Sequence, residues 1–333
     1  MSAYLKAISY YLPEKIITNE DLAKEFPEWT ADKITVKIGV TERHVVTDKE
    51  TAVDLAINAA EKLFLEHKID RKSIDFILFC TQSPDYFLPA SACIIQDKLN
   101  IPTSCGALDF NQGCSGFVFG LSVAKGLVVA GIASNVLLLT SETYTKHIHP
   151  KDKSNRTIFG DAAAATLIST EGFAEIGNFD FGTDGSGAKN LIVKTGGMRY
   201  KFPVDDITYD NDGNPLSSDY LYMNGGEIFN FTADAVPVLV NNVLKNNDLA
   251  DNDISLYVFH QANKYMINYL RKLIGIDKDK FYIYMSKVGN TVSSTIPIAL
   301  YEANKENLLT GNVLIAGFGV GYSWGGTILS FFA

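Results

Sequence analysis

The stretch Gly106-Ala-Leu-Asp-Phe-Asn-Gln-Gly-Cys-Ser-Gly-Phe117 passes from an apolar, strand-like run into a turn of small residues. A long apolar run with helical character follows it, from Val118 to Val129. The pattern predicts a strand, a tight turn and a helix, with Cys114 at the entrance of the helix. Unpaired backbone N–H groups and the helix dipole at that place favour a thiolate over a thiol. Cys114 is therefore a candidate nucleophile, and a buried structural cysteine is the alternative.

The second half of the chain repeats this arrangement. Three pairs of segments match in the same order: 69–80 with 249–260, Gly113-Cys114 with Gly289-Asn290, and 165–169 with 326–330. Such a repeat indicates a duplicated α/β half of about 160 residues. The duplication sets Cys114 against Asn290 and Cys80 against His260, so the two halves carry different chemistry at matching places.

The apolar runs alternate with helical patterns, which is typical of mixed sheets covered by helices on both faces. Helices are predicted at residues 52–66, 115–130, 233–246, 264–274 and 293–303. We divide the chain into an N-terminal half, residues 1–172, and a C-terminal half, residues 173–333. Segment 195–222 is rich in Asp, Asn, Gly and Pro. It is predicted to be a long excursion that either lines a binding site or lies on the surface.

Composition excludes several classes of protein. With 47% hydrophobic and 20% charged residues, the chain of 333 residues can build a large core. Its net charge of −9 argues against nucleic acid as the main partner. No apolar run is long enough to span a membrane, and the start of the sequence lacks a signal-peptide pattern. We therefore expect a soluble, cytoplasmic protein.

The sequence gives no indication of a bound metal or cofactor. No CxxC spacing, and hence neither a zinc site nor a disulfide framework, is present among the four cysteines: Cys80, Cys93, Cys105 and Cys114. All but Cys114 are expected to be core residues. His147 and His149 alternate as if on one face of a strand, which permits metal binding, although a surface role is favoured.

Five further motifs stand along the chain: Gly39-Val-Thr-Glu-Arg-His44, Phe159-Gly-Asp161, His260-Gln-Ala-Asn263, Val288-Gly-Asn-Thr291 and Gly317-Phe-Gly-Val-Gly-Tyr-Ser-Trp-Gly-Gly326. The last runs into a strand-like segment and not a helix, which disfavours a dinucleotide loop. Asp161 is expected to be structural. Together with the cysteine stretch, and in this order, the motifs closely resemble the 3-oxoacyl-(acyl-carrier-protein) synthase III family of the thiolase superfamily. The resemblance extends from about residue 5 to the C-terminus.

The resemblance implies a five-layer αβαβα fold, a homodimer and a catalytic triad of Cys114, His260 and Asn290. In this chemistry the cysteine accepts an acyl group from a thioester. A malonyl thioester then loses CO2, and its carbanion attacks the acyl-enzyme while His260 and Asn290 hold the enolate oxygen. The backbone N–H groups of Cys114 and Val320 form the oxyanion hole, and Val320 stands where the family usually has glycine.

The resemblance also implies contacts to the acyl donor. Trp29 matches the family's tryptophan for coenzyme A, and two phosphate-binding arginines fall on Lys37 and Lys153, with Arg156 close to the second. Lysine keeps the charge but loses the bidentate geometry of arginine. The donor is therefore either coenzyme A, bound more weakly, or an acyl carrier protein.

Two more substrate contacts are implied. Leu88 stands where the family has a phenylalanine that reaches into the partner's acyl pocket, which favours a longer or branched primer. Asn263 ends the His260-Gln-Ala-Asn263 motif beside the substrate.

A positive patch for the acidic acyl carrier protein is expected on the next helix, at Lys264, Arg271 and Lys272. Lys264 and Arg271 are two turns apart and share a side of that helix. A solvated helix face is the alternative.

The leading function is a decarboxylating Claisen condensation of an acyl primer, from coenzyme A or a carrier protein, with malonyl-acyl carrier protein. One alternative is an acyltransferase that moves the acyl group to an alcohol or an amine. Another is a non-catalytic subunit of a heterodimer, which is disfavoured because both Cys114 and His260 are present. Degradative thiolase chemistry is disfavoured because no cysteine follows Cys114.

Overall fold

The computed structural model describes residues 2–332. Its strands are, in chain order: β1 (Tyr4–Tyr11), β2 (Ile16–Thr18), β3 (Glu42–His44), β4 (Phe76–Cys80), β5 (Gly106–Phe110), β6 (Asn135–Glu142), β7 (Ala162–Ser169), β8 (Ala174–Thr183), β9 (Leu191–Ile192), β10 (Thr208–Tyr209), β11 (Pro215–Leu216), β12 (Tyr222–Met223), β13 (Ile254–Phe259), β14 (Gly311–Gly319) and β15 (Ser323–Phe331). Its α-helices are: α1 (Asn19–Glu25), α2 (Ala31–Ile38), α3 (Ala52–His67), α4 (Ser91–Lys98), α5 (Gly116–Val129), α6 (Lys153–Arg156), α7 (Gly225–Asn246), α8 (Lys264–Ile274) and α9 (Thr295–Lys305).

One nine-stranded sheet shows the duplication directly. Its strand order is β13-β14-β15-β8-β1-β7-β6-β4-β5. Outward from the centre, β1-β7-β6-β4 on one side matches β8-β15-β14-β13 on the other. The halves join where β1 pairs antiparallel with β8, with Leu5 opposite Ala174. The segments that match in sequence, β4 with β13 and β7 with β15, therefore occupy equivalent places.

Helices complete five layers. α3 and α4 cover the outer face of the first half-sheet, and α7 covers that of the second, with α8 packed on α7. α5 and α9 lie between the two half-sheets and contact both. Each interior strand is covered on two sides, so β6 and β7 are buried along nearly their whole length, which explains their continuous apolar runs. The predicted αβαβα fold is confirmed.

The predicted helices are largely found, with one substantial difference. The helix predicted at 233–246 is the last part of α7, which begins earlier, at Gly225. Two glycines at its start resemble loop residues, but Asn224 caps the helix by accepting a hydrogen bond from the N–H of Glu227. The helix predicted at 293–303 begins at Thr295, after a short 3₁₀ turn.

Several smaller expectations are corrected by the fold. Cys80 is buried as predicted, but Cys93 is exposed on α4 and Cys105 is half-buried. His147 ends a 3₁₀ turn, so it does not share a strand face with His149. Asp161 is fully buried, and its carboxylate accepts hydrogen bonds from the N–H groups of Val46 and Thr145, which fits a structural role.

The half-chain boundary at 172/173 falls between β7 and β8 and stays a prediction, since β1 and β8 join the halves into one sheet. Segment 195–222 contains the strand pair β10–β11 and the first residue of β12, and its Asp206, Asp210 and Asp219 accept hydrogen bonds from backbone N–H groups within the segment. No helix within residues 2–332 is both long and apolar enough to cross a bilayer.

Candidate active site

Cys114 lies in the turn between β5 and α5, two residues before the helix begins, and is 7% exposed. The end of β14 passes directly over it. A Cβ built at Gly319 would lie 2.8 Å from both Cβ and Sγ of Cys114, and one at Gly317 would lie 2.9 Å from its carbonyl oxygen. The glycine-rich stretch is therefore required for close packing against the cysteine, and not for binding phosphate.

The backbone N–H groups of Val320 and of Cys114 itself face Sγ, which favours the thiolate. Burial has the larger effect and raises the pKa of Cys114 to about 12. Glu142, buried nearby, acts in the same direction. The thiolate expected from the helix entrance is therefore not the resting state, because desolvation outweighs the helix N-terminus.

His260 follows β13, and its N–H donates to the carbonyl of Ala316 on β14 at 2.8 Å. Its side chain is 2% exposed, and burial lowers its pKa to about 3, so the imidazole is neutral. Nδ1 lies 2.7 Å from Oγ1 of Thr295. The edge of the imidazole meets the ring of Phe318, 5.9 Å between centroids. His260 and Cys114 thus flank the same end of β14.

Asn290 is held by its backbone, whose N–H donates to the carbonyl of Ile158 at 2.9 Å. Its Oδ1 accepts a hydrogen bond from the N–H of Val292 at 2.9 Å. Within residues 2–332 no group accepts from its Nδ2, which leaves that amide available to a substrate. The carbonyl of Val292 in turn faces His260. The three predicted catalytic residues are thus connected through β14 and Val292.

Val292 and Thr295 are site residues that the sequence did not reveal. Val292 has φ 54°, in the left-handed region, where a β-branched side chain is strained. Strain of this kind is typical of functional sites. The residues on either side, Thr291 and Ser293, do not predict this conformation from the sequence either.

A cavity of about 260 Å³ opens beside Cys114. Its lining combines polar and apolar side chains: Gln82, Asn111, Tyr144, His147, Leu191, Ile192, Val193, Leu221 and Val320. Val320 belongs to both the cavity and the thiol environment, since its N–H faces Sγ. A chain attached to Cys114 therefore has space to enter the cavity.

Comparisons with known proteins agree with this arrangement. The models for 3-oxoacyl-[acyl-carrier-protein (ACP)] synthase III match residues 108–185 and, for the C-terminal part, residues 244–331. A beta-ketoacyl-[acyl-carrier-protein] synthase III of Clostridium perfringens is 34% identical over 331 residues, which are 98% of this chain and 99% of that protein. The chain belongs to the 3-oxoacyl-(acyl-carrier-protein) synthase III family.

Solved structures of synthase III proteins superpose closely. One has a TM-score of 0.97 at 46% identity, covering 99% of this chain and 100% of the other. A 3-oxoacyl-(acyl-carrier protein) synthase from Burkholderia xenovorans LB400 has a TM-score of 0.91 at 35% identity, covering 99% and 94%. The predicted family, thiolase-like fold and acyltransferase class are therefore confirmed.

A surface groove of this synthase III lies along α8. It has a volume of about 680 Å³ and is lined by an apolar floor and three lysines: Val36, Lys37, Ile38, Asn263, Lys264, Tyr265, Asn268, Tyr269 and Lys272. Asn263 also caps α8, since its side chain accepts from the N–H of Met266 at 2.9 Å. Arg271 is not part of the groove. Its guanidinium donates to the carbonyl of Ile276 at 2.8 Å, beyond the end of its own helix.

The predicted coenzyme A contacts are only partly brought together. The ammonium groups of Lys33 and Lys37 lie 4.9 and 5.8 Å from the ring centre of Trp29. Lys153 instead forms an ion pair with Glu28 at 2.6 Å.

Arg156 likewise pairs with Glu25. Two of the cations expected to bind phosphate are thus already neutralised by carboxylates of the neighbouring segment. Both glutamates stand just before Trp29 in the chain, far in sequence from the cations they pair with.

Leu88 does not contribute to the cavity of its own chain. It is 81% exposed, and its neighbour Phe87 is 70% exposed, on the loop between β4 and α4. Exposed apolar side chains grouped in this way are typical of an interaction surface.

Proposed function

We propose that the protein condenses an acyl primer with malonyl-acyl carrier protein, through an acyl-Cys114 intermediate, to give 3-oxoacyl-acyl carrier protein and CO2. One observation carries this assignment. The buried thiol of Cys114 faces two backbone N–H groups, the neutral His260 lies at the same end of β14, and Asn290 accepts a hydrogen bond from Val292, whose carbonyl faces His260. Nucleophile, oxyanion donors and enolate donors are the groups that this chemistry needs.

In the first half-reaction Sγ of Cys114 attacks the thioester carbonyl of the primer. A new S–C bond forms, the S–C bond of the donor breaks, and the thiol proton leaves with the departing thiol. The N–H groups of Cys114 and Val320 hold the tetrahedral oxyanion. Because burial raises the pKa of the thiol, the proton is lost only as the thioester binds and attack begins.

In the second half-reaction malonyl thioester loses CO2, and its enolate oxygen accepts hydrogen bonds from Nε2–H of His260 and Nδ2–H of Asn290. The carbanion attacks the acyl carbon, and Cys114 leaves as a thiolate and takes up a proton. In the resting site the hydroxyl of Thr295 donates to the carbonyl of Val292 at 3.0 Å and so accepts from Nδ1–H of His260; Nε2 becomes the donor when that hydroxyl turns to Nδ1. Thr295 is therefore a positioning residue in this proposal.

The groove along α8 is the proposed docking surface for the acidic carrier protein. Lys37, Lys264 and Lys272 line it, and Asn263 lies at its inner end. Arg271 is not part of this surface, because its guanidinium donates to the carbonyl of Ile276 just after its own helix. Lys264→Glu should raise the KM for malonyl-acyl carrier protein several-fold and weaken its salt dependence, whereas Lys245→Glu, at the exposed end of α7, should leave both unchanged.

The proposal includes a homodimer formed along β5. This strand lies at the end of the nine-stranded sheet, and Leu108 on it is 47% exposed. An exposed edge strand is a template for pairing with a second copy. The exposed Leu88 would then lie at the partner's acyl pocket. Leu108→Arg should give a monomer by light scattering, whereas Leu65→Arg, on the exposed face of α3, should not.

The deciding experiment is intact-protein mass spectrometry after incubation with acyl-coenzyme A and acyl-carrier protein panels. We expect an acyl adduct that Cys114→Ala abolishes, and CO2 release with 3-oxoacyl product once malonyl-acyl carrier protein is added. An adduct transferred to an alcohol or amine without CO2 release would instead support the acyltransferase alternative. The absence of any adduct would refute the proposal.

A further inference from the structure

The cavity beside Cys114 contains polar groups that the condensation itself does not use. Glu142 is fully buried behind it, and its carboxyl group accepts hydrogen bonds from the N–H of Gln82 at 2.9 Å and the hydroxyl of Ser83 at 3.0 Å. The oxygen of Ser83 lies 3.3 Å from Nε2 of His147. These contacts form a chain from the interior to the cavity wall.

This chain defines what His147 offers to the cavity. Ser83 lies between the carboxyl group of Glu142 and Nε2 of His147, so it ties this ring nitrogen to the interior and leaves Nδ1 as the other polar atom of the ring. Burial lowers the pKa of His147, which keeps the imidazole neutral. No hydrogen bond between Nδ1 and a described residue is found.

Two further groups in the wall lack partners. Oε1 of Gln82 is buried and accepts no hydrogen bond, although Nε2 of the same amide donates to Asn111 at 3.2 Å. Tyr144 is 4% exposed, and no hydrogen bond of its hydroxyl to a described residue is found. Buried polar atoms are nearly always paired, so the buried and unpaired Oε1 of Gln82 indicates a missing partner.

These groups lie close to Cys114, so an acyl chain attached to Cys114 can supply the missing partner. Oε1 of Gln82 is the atom that a Cβ at Gly113 would meet at 2.8 Å, so it lies next to Cys114 in space. Tyr144 is close enough to Cys114 for a negative charge on the thiol to raise the pKa of the phenol. The remaining lining, Leu191, Val193 and Leu221, is apolar and suits methylene groups.

We propose that this cavity receives the acyl chain of the primer and selects a chain bearing a neutral hydroxyl group over a hydrocarbon chain of the same length. The inference rests on the proposed function, because it needs Cys114 to carry the acyl group. A hydroxyl can donate to Oε1 of Gln82, accept from the phenol of Tyr144 and pair with Nδ1 of His147 in either direction. Acids are disfavoured, since no lysine or arginine lines the cavity.

The test compares single-turnover acylation of Cys114 by pantetheine thioesters, followed by intact-protein mass spectrometry. The panel holds butyryl, 3-hydroxybutyryl, hexanoyl, 3-hydroxyhexanoyl and succinyl thioesters. We expect each hydroxyacyl group to react at least tenfold faster than its hydrocarbon counterpart, since leaving buried polar groups unpaired costs on the order of this factor or more. Succinyl should react slowest.

Two variants test whether polar groups in the cavity wall cause the preference for hydroxyacyl groups. Gln82→Met and Tyr144→Phe keep the shape but remove one polar group each, and should reduce the ratio of the 3-hydroxybutyryl rate to the butyryl rate several-fold. Tyr209→Phe, on the exposed excursion, is the matched control and should change nothing.

Each outcome decides between the claims. Equal or faster acylation by the hydrocarbon chains would overturn the inference and would mean that water fills the cavity, while leaving the proposed function intact. An unchanged preference in both wall variants would also overturn it. No adduct from any thioester would refute the proposed function and the inference together.

Discussion

Replacing Gly319 by alanine should disable Cys114 without unfolding the protein. The new Cβ would lie 2.8 Å from Cβ and Sγ of Cys114. Non-bonded atoms of this kind settle at about 3.5–4.0 Å, so β14 or the cysteine must move by roughly 0.7–1.2 Å. A displacement of about 1 Å at a reacting group costs on the order of 100-fold in rate. We expect acylation of Cys114 to fall by that factor.

The fold should survive the substitution. The backbone at Gly319 lies outside the left-handed region, so alanine is sterically allowed there. Overpacking of this size destabilises by about 1–3 kcal/mol, which is less than the stability of about 5–15 kcal/mol of an ordinary domain. A melting temperature lowered by a few degrees, with unchanged circular dichroism, should accompany the loss of activity.

The assay is a rapid-mixing time course with an acyl-pantetheine donor, read by intact-protein mass spectrometry. Gly126→Ala is the control, because Gly126 lies in α5, the helix that follows Cys114, and a Cβ there meets nothing within 4 Å. That variant should acylate like the native protein. If Gly319→Ala acylates within threefold of the native rate, the reasoning from close packing is wrong.

Three further predictions concern protons. Alkylation of Cys114 by iodoacetamide should rise about tenfold per pH unit from 7 to 10 without a plateau, since burial raises its pKa to about 12; peptide mapping against the exposed Cys93 checks this, and a plateau below pH 9 would contradict it. Thr295→Val should slow malonyl decarboxylation about 10–100-fold but spare acylation of Cys114, because only the tautomer of His260 is lost; equal losses in both steps would refute the positioning role. Burial raises the pKa of Glu142 from 4.5 to about 8, so the folded state holds a proton that the unfolded state has lost. Its contribution to stability is therefore complete below pH 4.5 and is lost as pH rises to about 8, and denaturant titrations should show Glu142→Gln flattening this slope.

The fold was predictable because its central strands are covered on both faces. Their continuous apolar runs recur in both halves, and β4 and β13 end at equivalent places of the sheet. Cys114, His260 and Asn290 follow such strands or precede helices, so their proximity follows from topology. The five layers needed the family resemblance in addition, since apolar runs alone do not fix how half-sheets stack.

What the sequence did not reveal depends on contacts between distant segments. Lys153 and Arg156 look like phosphate ligands until Glu28 and Glu25, more than 120 residues away in the chain, fold against them. Arg271 looks available on a helical wheel, but the chain turns after α8 and presents the carbonyl of Ile276 to it. Such pairs form only in the tertiary structure and produce no periodic pattern in the local sequence.

The sequence also did not reveal the electrostatic environment of Cys114. The entrance of α5 predicts an acidic thiol, but the approach of β14 at Gly317 and Gly319 removes water from Cys114 and reverses the effect. The left-handed conformation of Val292 runs against the preference of a β-branched residue, so propensity could not indicate it.

The pseudo-symmetry of the two half-sheets also has an evolutionary consequence. Cys80 and His260 occupy equivalent strand ends, and Cys114 and Asn290 occupy equivalent helix entrances. Two copies of an unfused ancestral half, translated from one gene, would present the same residue at both members of each pair. A nucleophile in one half and an amide donor in the other could arise only after duplication let the two halves mutate independently. Duplication of the half therefore preceded the specialisation of this active site.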